Sequence, residues 1–108
     1  MSNKTEQPEG LDSNFFERAD EHINIANTHI NTKIEPRLVS GSLMFASARF
    51  NAWISASGFE NGEELKSRKK DLLEYFVKQY ASMLEENLDN YADNYDLYMG
   101  ISKEQAKK

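Results

Sequence analysis

Three observations predict an all-α fold, a three-helix bundle. Apolar residues recur at helical spacing from Phe16 through Ala19, Ile23, Ala26 and Ile30. The sixteen residues from Ser42 to Ser57 carry a single charge, Arg49. From Gly62 to Tyr91 the chain has no proline, and Leu73, Val77, Tyr80, Leu84, Asn87 and Tyr91 alternate by four and three. Each pattern belongs to a helix with apolar surface to bury. Helices are expected at about 13–33, 39–57 and 62–95, the second central and the third overhanging.

The chain opens on polar residues with Pro8 and Gly10, so residues 1–12 are expected to form a mobile tail. Asp12 or Ser13 can accept a hydrogen bond from the free amides of a helix start, just before Phe15 and Phe16. Along the first helix Glu17, Glu21, Asn24 and Thr28 fall mostly opposite the apolar stripe, with Phe15, His22 and His29 at its margin. Pro36 ends the segment, because the residue before a proline disfavours helix.

The second helix is expected to start between Pro36 and Ser40, with Ser40 the best cap candidate and Gly58 the left-handed close. Leu43, Ala46, Phe50, Trp53 and Ser57 form one face. Met44, Phe45, Ala48, Ala52 and Ile54 leave the opposite face apolar or small as well. A helix apolar nearly all round is buried on more than one side. At about 1.5 Å per residue the third helix would be roughly 50 Å long against roughly 28 Å for the second. The overhang carries Tyr91, Tyr95 and Tyr98, which share one face at i, i+4 and i+7 and form a candidate interface. Residues 13–98 are read as a single helical domain and 99–108 as a polar tail.

A chain of 108 residues supports one small core. There is no cysteine, which removes disulfides, thiolate metal sites and cysteine nucleophiles together. The first fourteen residues lack the basic leader and apolar run of a secretory signal, and no window is long and apolar enough to span a membrane. A cytoplasmic protein is expected. The net charge is −5, and the one basic cluster, Lys66 to Lys70, is flanked by Glu63, Glu64, Asp71 and Glu74. Phosphate-backbone binding needs a broad positive face, so nucleic acid is not an expected partner.

Chemical constellations are weak. His22 and His29 stand seven apart without the E-x-x-H or H-E-x-x-H spacing of helical metal sites. Asp89, Asp93 and Asp96 lack the glycine and glutamate of a calcium loop. No G-x-S-x-G or glycine-rich phosphate loop is present. No enzyme activity, cofactor or metal is expected. Arg49 stands out, since an isolated buried charge is costly and arginine cannot neutralise itself. Glu17 and Asp20 on the first helix, or Glu74 on the third, are its expected partners. Alternatively, Arg49 with Asn51 reads a small anionic ligand through its planar fork. As one half of a buried pair, Arg49→Ala would cost on the order of 3 kcal/mol.

The strings from Phe15 to Asn27, from Val39 to Trp53 and from Glu74 to Tyr91 resemble the bacterial domain of unknown function 3144 family of small, chiefly proteobacterial helical proteins. The most specific piece is Ala46, Ala48, Arg49, Phe50, Asn51 and Ala52. The resemblance implies a compact helical domain of the bacterial cytoplasm and carries over no catalytic residue. The reading that follows is a non-enzymatic protein-interaction or regulatory module with an unknown protein partner. A homodimer through the second helix or the Tyr91 to Tyr98 face is expected, because two amphipathic neighbours cannot cover a helix apolar all round.

Overall fold

The computed structural model describes residues 11–100. The expected polar tails lie for most of their length outside these residues. The described chain is helical, with no strand. It contains α1 (Phe15–Thr28), α2 (Pro36–Ala56), α3 (Gly62–Ser67), α4 (Lys69–Asp93) and a π-helical turn (Asp96–Gly100). The all-α class is therefore as the sequence predicts. The count differs, with five helical segments in place of three, and the differences have local causes. The chain divides into two units between Ile54 and Ser55, in the last turn of α2.

In the first unit, α1 starts after Asp12, whose carboxylate accepts the Asn14 N–H at 2.9 Å. It ends at Thr28, about five residues before the expected boundary. The Thr28 hydroxyl donates to the Ile25 carbonyl at 2.6 Å, and the His29 N–H moves to the Ala26 carbonyl at 3.0 Å. A hydroxyl that takes a backbone acceptor competes with the helical ladder in this way. Asn31 then organises the turn, its side-chain oxygen accepting from Lys33 N–H and Ile34 N–H at 2.7 and 2.9 Å.

Helix α2 begins at Pro36, the early end of the expected range. Proline suits the first helical position, where its missing N–H leaves nothing unbonded. The Glu35 carbonyl accepts from Leu38 and Val39 N–H. Val39 is the buried apolar residue of the described chain, at 6% exposure. On α1, Phe15, Ala19 and Ala26 are half-buried while Phe16 and Ile23 are about half exposed. Ala19 and Ala26 of the predicted stripe are thus covered, with Phe15 beside them in place of Phe16 and Ile23. At the end of α2, Gly58 does not adopt the left-handed conformation. A tight turn closes the helix instead, with Gly58 N–H donating to Ser55 and Phe59 N–H to Ala56, both at 3.1 Å.

In the second unit, Asn61 caps α3 by accepting the Glu64 N–H at 2.8 Å. The Glu64 carboxylate reaches back to the Glu60 N–H at 2.9 Å. This is nearly the reciprocal capping box. The expected single helix from 62 is interrupted at Arg68. The Ser67 hydroxyl donates to the Glu64 carbonyl at 2.7 Å, and Arg68 N–H bonds the Leu65 carbonyl at 3.0 Å. Arg68 has φ −106° and ψ 8° and serves both as the close of α3 and the cap of α4.

Helix α4 has two apolar faces. Leu72 and Phe76 are half-buried, as is Leu65 of α3 one heptad before. The predicted seam is the more exposed one: its Leu73, Val77, Tyr80, Leu84 and Tyr91 stand 42 to 60% exposed, and Leu88 beside it 61%. At about 100° per residue the two faces are centred roughly 95° apart.

Candidate interaction surface

The side chains singled out by the sequence do not converge. Arg49 is exposed, and no ion pair among the described residues includes it. Glu17, Asp20 and Glu74 are exposed as well, and Asn51 is half-buried. Within the first unit, the buried pair expected between Arg49 and Glu17 or Asp20 is not formed. Arginine at that point of α2 is solvated because the helix around it is.

Instead, α2 presents apolar surface. Leu38, Met44, Phe45, Phe50, Trp53 and Ile54 are 47 to 67% exposed. Phe50 and Trp53 stand one turn apart with ring centroids at 5.6 Å and planes tilted by 43°. They form an aromatic ledge beside Arg49, whose guanidinium is the one charge between Ser42 and Ser57. Aromatic side chains with an adjacent arginine are the residue types that anchor protein interfaces.

The tyrosines of the C-terminal end are arranged differently from a single helical face. Helix α4 stops at Asp93, and Asn94 donates through its side chain to the Asn90 carbonyl and to the Asn90 Oδ1, both at 2.9 Å. The π-helical turn then returns Tyr98 to Tyr91, with ring centroids at 4.6 Å. Asn90 Nδ2 donates to the Tyr98 hydroxyl oxygen at 3.3 Å. Tyr95, 43% exposed, lines a cleft formed by Ala92 to Leu97. Tyr91 and Tyr98 satisfy each other in part, yet remain 48 and 42% exposed.

One pair was not foreseen. Arg18 forks onto Asp12, with nitrogen–oxygen distances of 2.8 and 3.3 Å. Those bonds, joined by the Asn14 N–H, hold the Asp12 carboxyl below its ordinary value, and Asp12 in turn raises the Arg18 guanidinium. The only sequence signal was a separation of six residues, which a helix alone does not bring together. The non-helical turn before Phe15 makes the pair possible.

Among the described residues no group of three or more His, Asp or Glu side chains is placed to hold a metal ion. No described helix is long and apolar enough to cross a membrane. Fold and surface define a small all-helical protein that presents apolar helix faces. The chain belongs to the DUF3144 family, described as proteins of unknown function, and the match runs over residues 15–92. The resemblance carried by the Ala46 to Ala52 core is thus borne out. The chain is also similar to the NMR structure of protein NB7890A from a Shewanella species, at 36% identity over 84% of this chain and 96% of that one, with a TM-score of 0.70. No curated protein matches it.

Proposed function

We propose that this chain is a non-enzymatic protein-interaction or regulatory module of the bacterial cytoplasm, acting through α2. The observation that carries the reading is the exposed aromatic and aliphatic surface of that helix. Large exposed apolar patches on soluble domains mark contact sites. A protein partner is the occupant that fits Phe45, Phe50 and Trp53, since aromatic anchors bury large apolar area at low entropic cost.

The test compares proteins captured from a native cell extract by the tagged wild-type chain and by Phe45→Glu and Trp53→Glu variants. Protein retained by the wild type and lost from both variants supports the reading. Equal capture by all three overturns it. Circular dichroism of the variants separates a lost surface from lost helix.

A second reading rests on one observation, the exposed Arg49 outside the ion pairs of the described residues. Its planar fork would take a small carboxylate or phosphate, while Asn51, two residues further along α2, lies on another side of the helix. A thermal-shift panel of anionic metabolites checks this, because a ligand of the native state raises the midpoint by mass action. A shift that survives Arg49→Gln removes Arg49 from the site.

A further inference from the structure

We infer that Asn61, with Gly62 after it, is a site of spontaneous deamidation exposed by fraying of α3, and that conversion there removes the cap of α3. The reaction lies between two adjacent residues and takes only water. The apolar surface of α2 plays no part in it.

An asparagine amide is a chemically labile group, and it is lost when the backbone nitrogen of the next residue attacks it. A side chain on that next residue stands in the way, and glycine has none. Asn61 alone among the asparagines of the sequence precedes glycine. Asn24, Asn27 and Asn31 precede β-branched residues, and Asn87, Asn90 and Asn94 precede Leu88, Tyr91 and Tyr95. Asn61 and Gly62 are both exposed, so water reaches them. Gly62 is the first residue of α3, where a backbone N–H has no acceptor within the helix. Asn51 differs, because the Ala52 N–H that follows it is committed to the ladder of α2.

The folded geometry holds the reaction back. The Asn61 side-chain oxygen accepts the Glu64 N–H at 2.8 Å, and its main-chain carbonyl accepts the Leu65 N–H at 3.2 Å. At ψ 172° the Gly62 nitrogen is staggered against the Asn61 Cβ, whereas closing a five-membered ring needs the two nearly eclipsed. The Cα–C bond must therefore rotate, and the first turn of α3 must give way with it. A helix of six residues, exposed except at Leu65, opens readily.

In the opened state the Gly62 nitrogen gives up its proton and bonds to the Asn61 Cγ, the Cγ–Nδ2 bond breaks, and ammonia departs carrying that proton. Water then opens the ring at one of its two carbonyls and returns a proton to the Gly62 nitrogen. No electrons are gained or lost, and the mass rises by about 1 Da. Opening at one carbonyl gives aspartate, which keeps the side-chain acceptor and adds a negative charge where the helix dipole favours one. Opening at the other gives isoaspartate, in which the main chain runs through Cβ and the former main-chain carbonyl becomes a side-chain carboxylate. The acceptors of the Glu64 and Leu65 N–H groups then exchange places in the chain, and the cap is lost.

The full chain, incubated in mildly alkaline buffer and then digested with trypsin, yields a peptide from Phe50 to Lys66 that carries both Asn51 and Asn61. Electron-transfer fragmentation locates the mass gain and separates aspartate from isoaspartate. The gain is expected at Asn61 and not at Asn51, with isoaspartate the larger product, and faster in denaturing urea. Gly62→Ala should slow it on the order of tenfold. That variant should keep native helicity by circular dichroism, since a Cβ there meets nothing within 4 Å. Converted chains, separated by their added charge, should exchange the Glu64 amide faster than unconverted ones, while Asn61→Asp should not. If Asn61 stays intact in buffer but converts in urea, the folded chain closes the site and the proposal is overturned. Equal conversion in wild type and Gly62→Ala overturns it too. Equal rates in buffer and urea overturn the control by α3, and unchanged exchange at Glu64 in the converted chains overturns the loss of the cap.

Discussion

Arg49 shows how burial, rather than residue type, sets an energy. Read as half of a buried pair, its truncation would cost on the order of 3 kcal/mol. In the structure it is exposed and outside the described ion pairs, so Arg49→Ala should change stability by less than about 0.5 kcal/mol in urea denaturation of dilute protein. A loss of several kcal/mol would mean that the helix is covered in solution. Asp12 supplies the complementary case, a charge with a well-formed partner in full solvent. Its carboxyl, whose ordinary value is near 3.8, is lowered chiefly by hydrogen bonding to Arg18. A depressed folded-state value stabilises the fold above the unfolded value and ceases to do so as pH falls through the folded one. Between pH 5 and 2 the wild type should therefore lose more stability than Asp12→Asn, as read from denaturation midpoints. Parallel curves would show that the fork seen at 2.8 Å is not kept in solution.

At the level of the element, hydroxyl and amide side chains accompany helix ends without alone deciding them, since Ser42 bonds the Val39 carbonyl at 3.0 Å inside an unbroken α2. Thr28 and Ser67 each donate to the carbonyl three residues before, and a helix ends beside each. Asn61 does the reverse and starts one. Asn61→Ala should cost about 1 kcal/mol, the usual loss for a helix cap, and should speed amide exchange at Glu64 while leaving α4 protected. Uniform loss of protection would make α3 and α4 one cooperative unit. These local choices mark the limit of what was legible in the sequence. Helical class and the approximate extents of the second and third helices follow from periodicity, which reports a face over many residues. The interruption at Arg68 does not, because it is a change at a single residue inside a pattern that stays periodic on both sides. The seam of α4 was legible as a seam, but Leu72 and Phe76 form an adjoining apolar face, and spacing alone does not rank two faces by exposure. For the candidate site, the apolar girth of α2 was read correctly from the run between Ser42 and Ser57. Its cover was not, since a pattern demanding burial does not say whether the same chain provides it.

For the whole molecule, that demand leads to a quantitative expectation. Val39 is the buried apolar residue among those described, while Leu73, Phe45, Phe50 and Trp53 are each at least 60% exposed. A domain with so little enclosed apolar surface gains little from the hydrophobic term that offsets chain entropy. Were a second copy of the chain to cover such surface, folding would become linked to association. When native dimer unfolds to separate chains, stability depends on concentration by mass action. A hundredfold rise in protein adds about 2.7 kcal/mol per dimer, or about 1.4 per chain. For a domain of this size that corresponds to a thermal midpoint raised by about 5–10 °C. Calorimetry at about 2 and 200 μM should show this rise for the wild type and lose it in Leu84→Glu. A midpoint independent of concentration would place the chain's stability within a single copy and leave its apolar faces to a different partner.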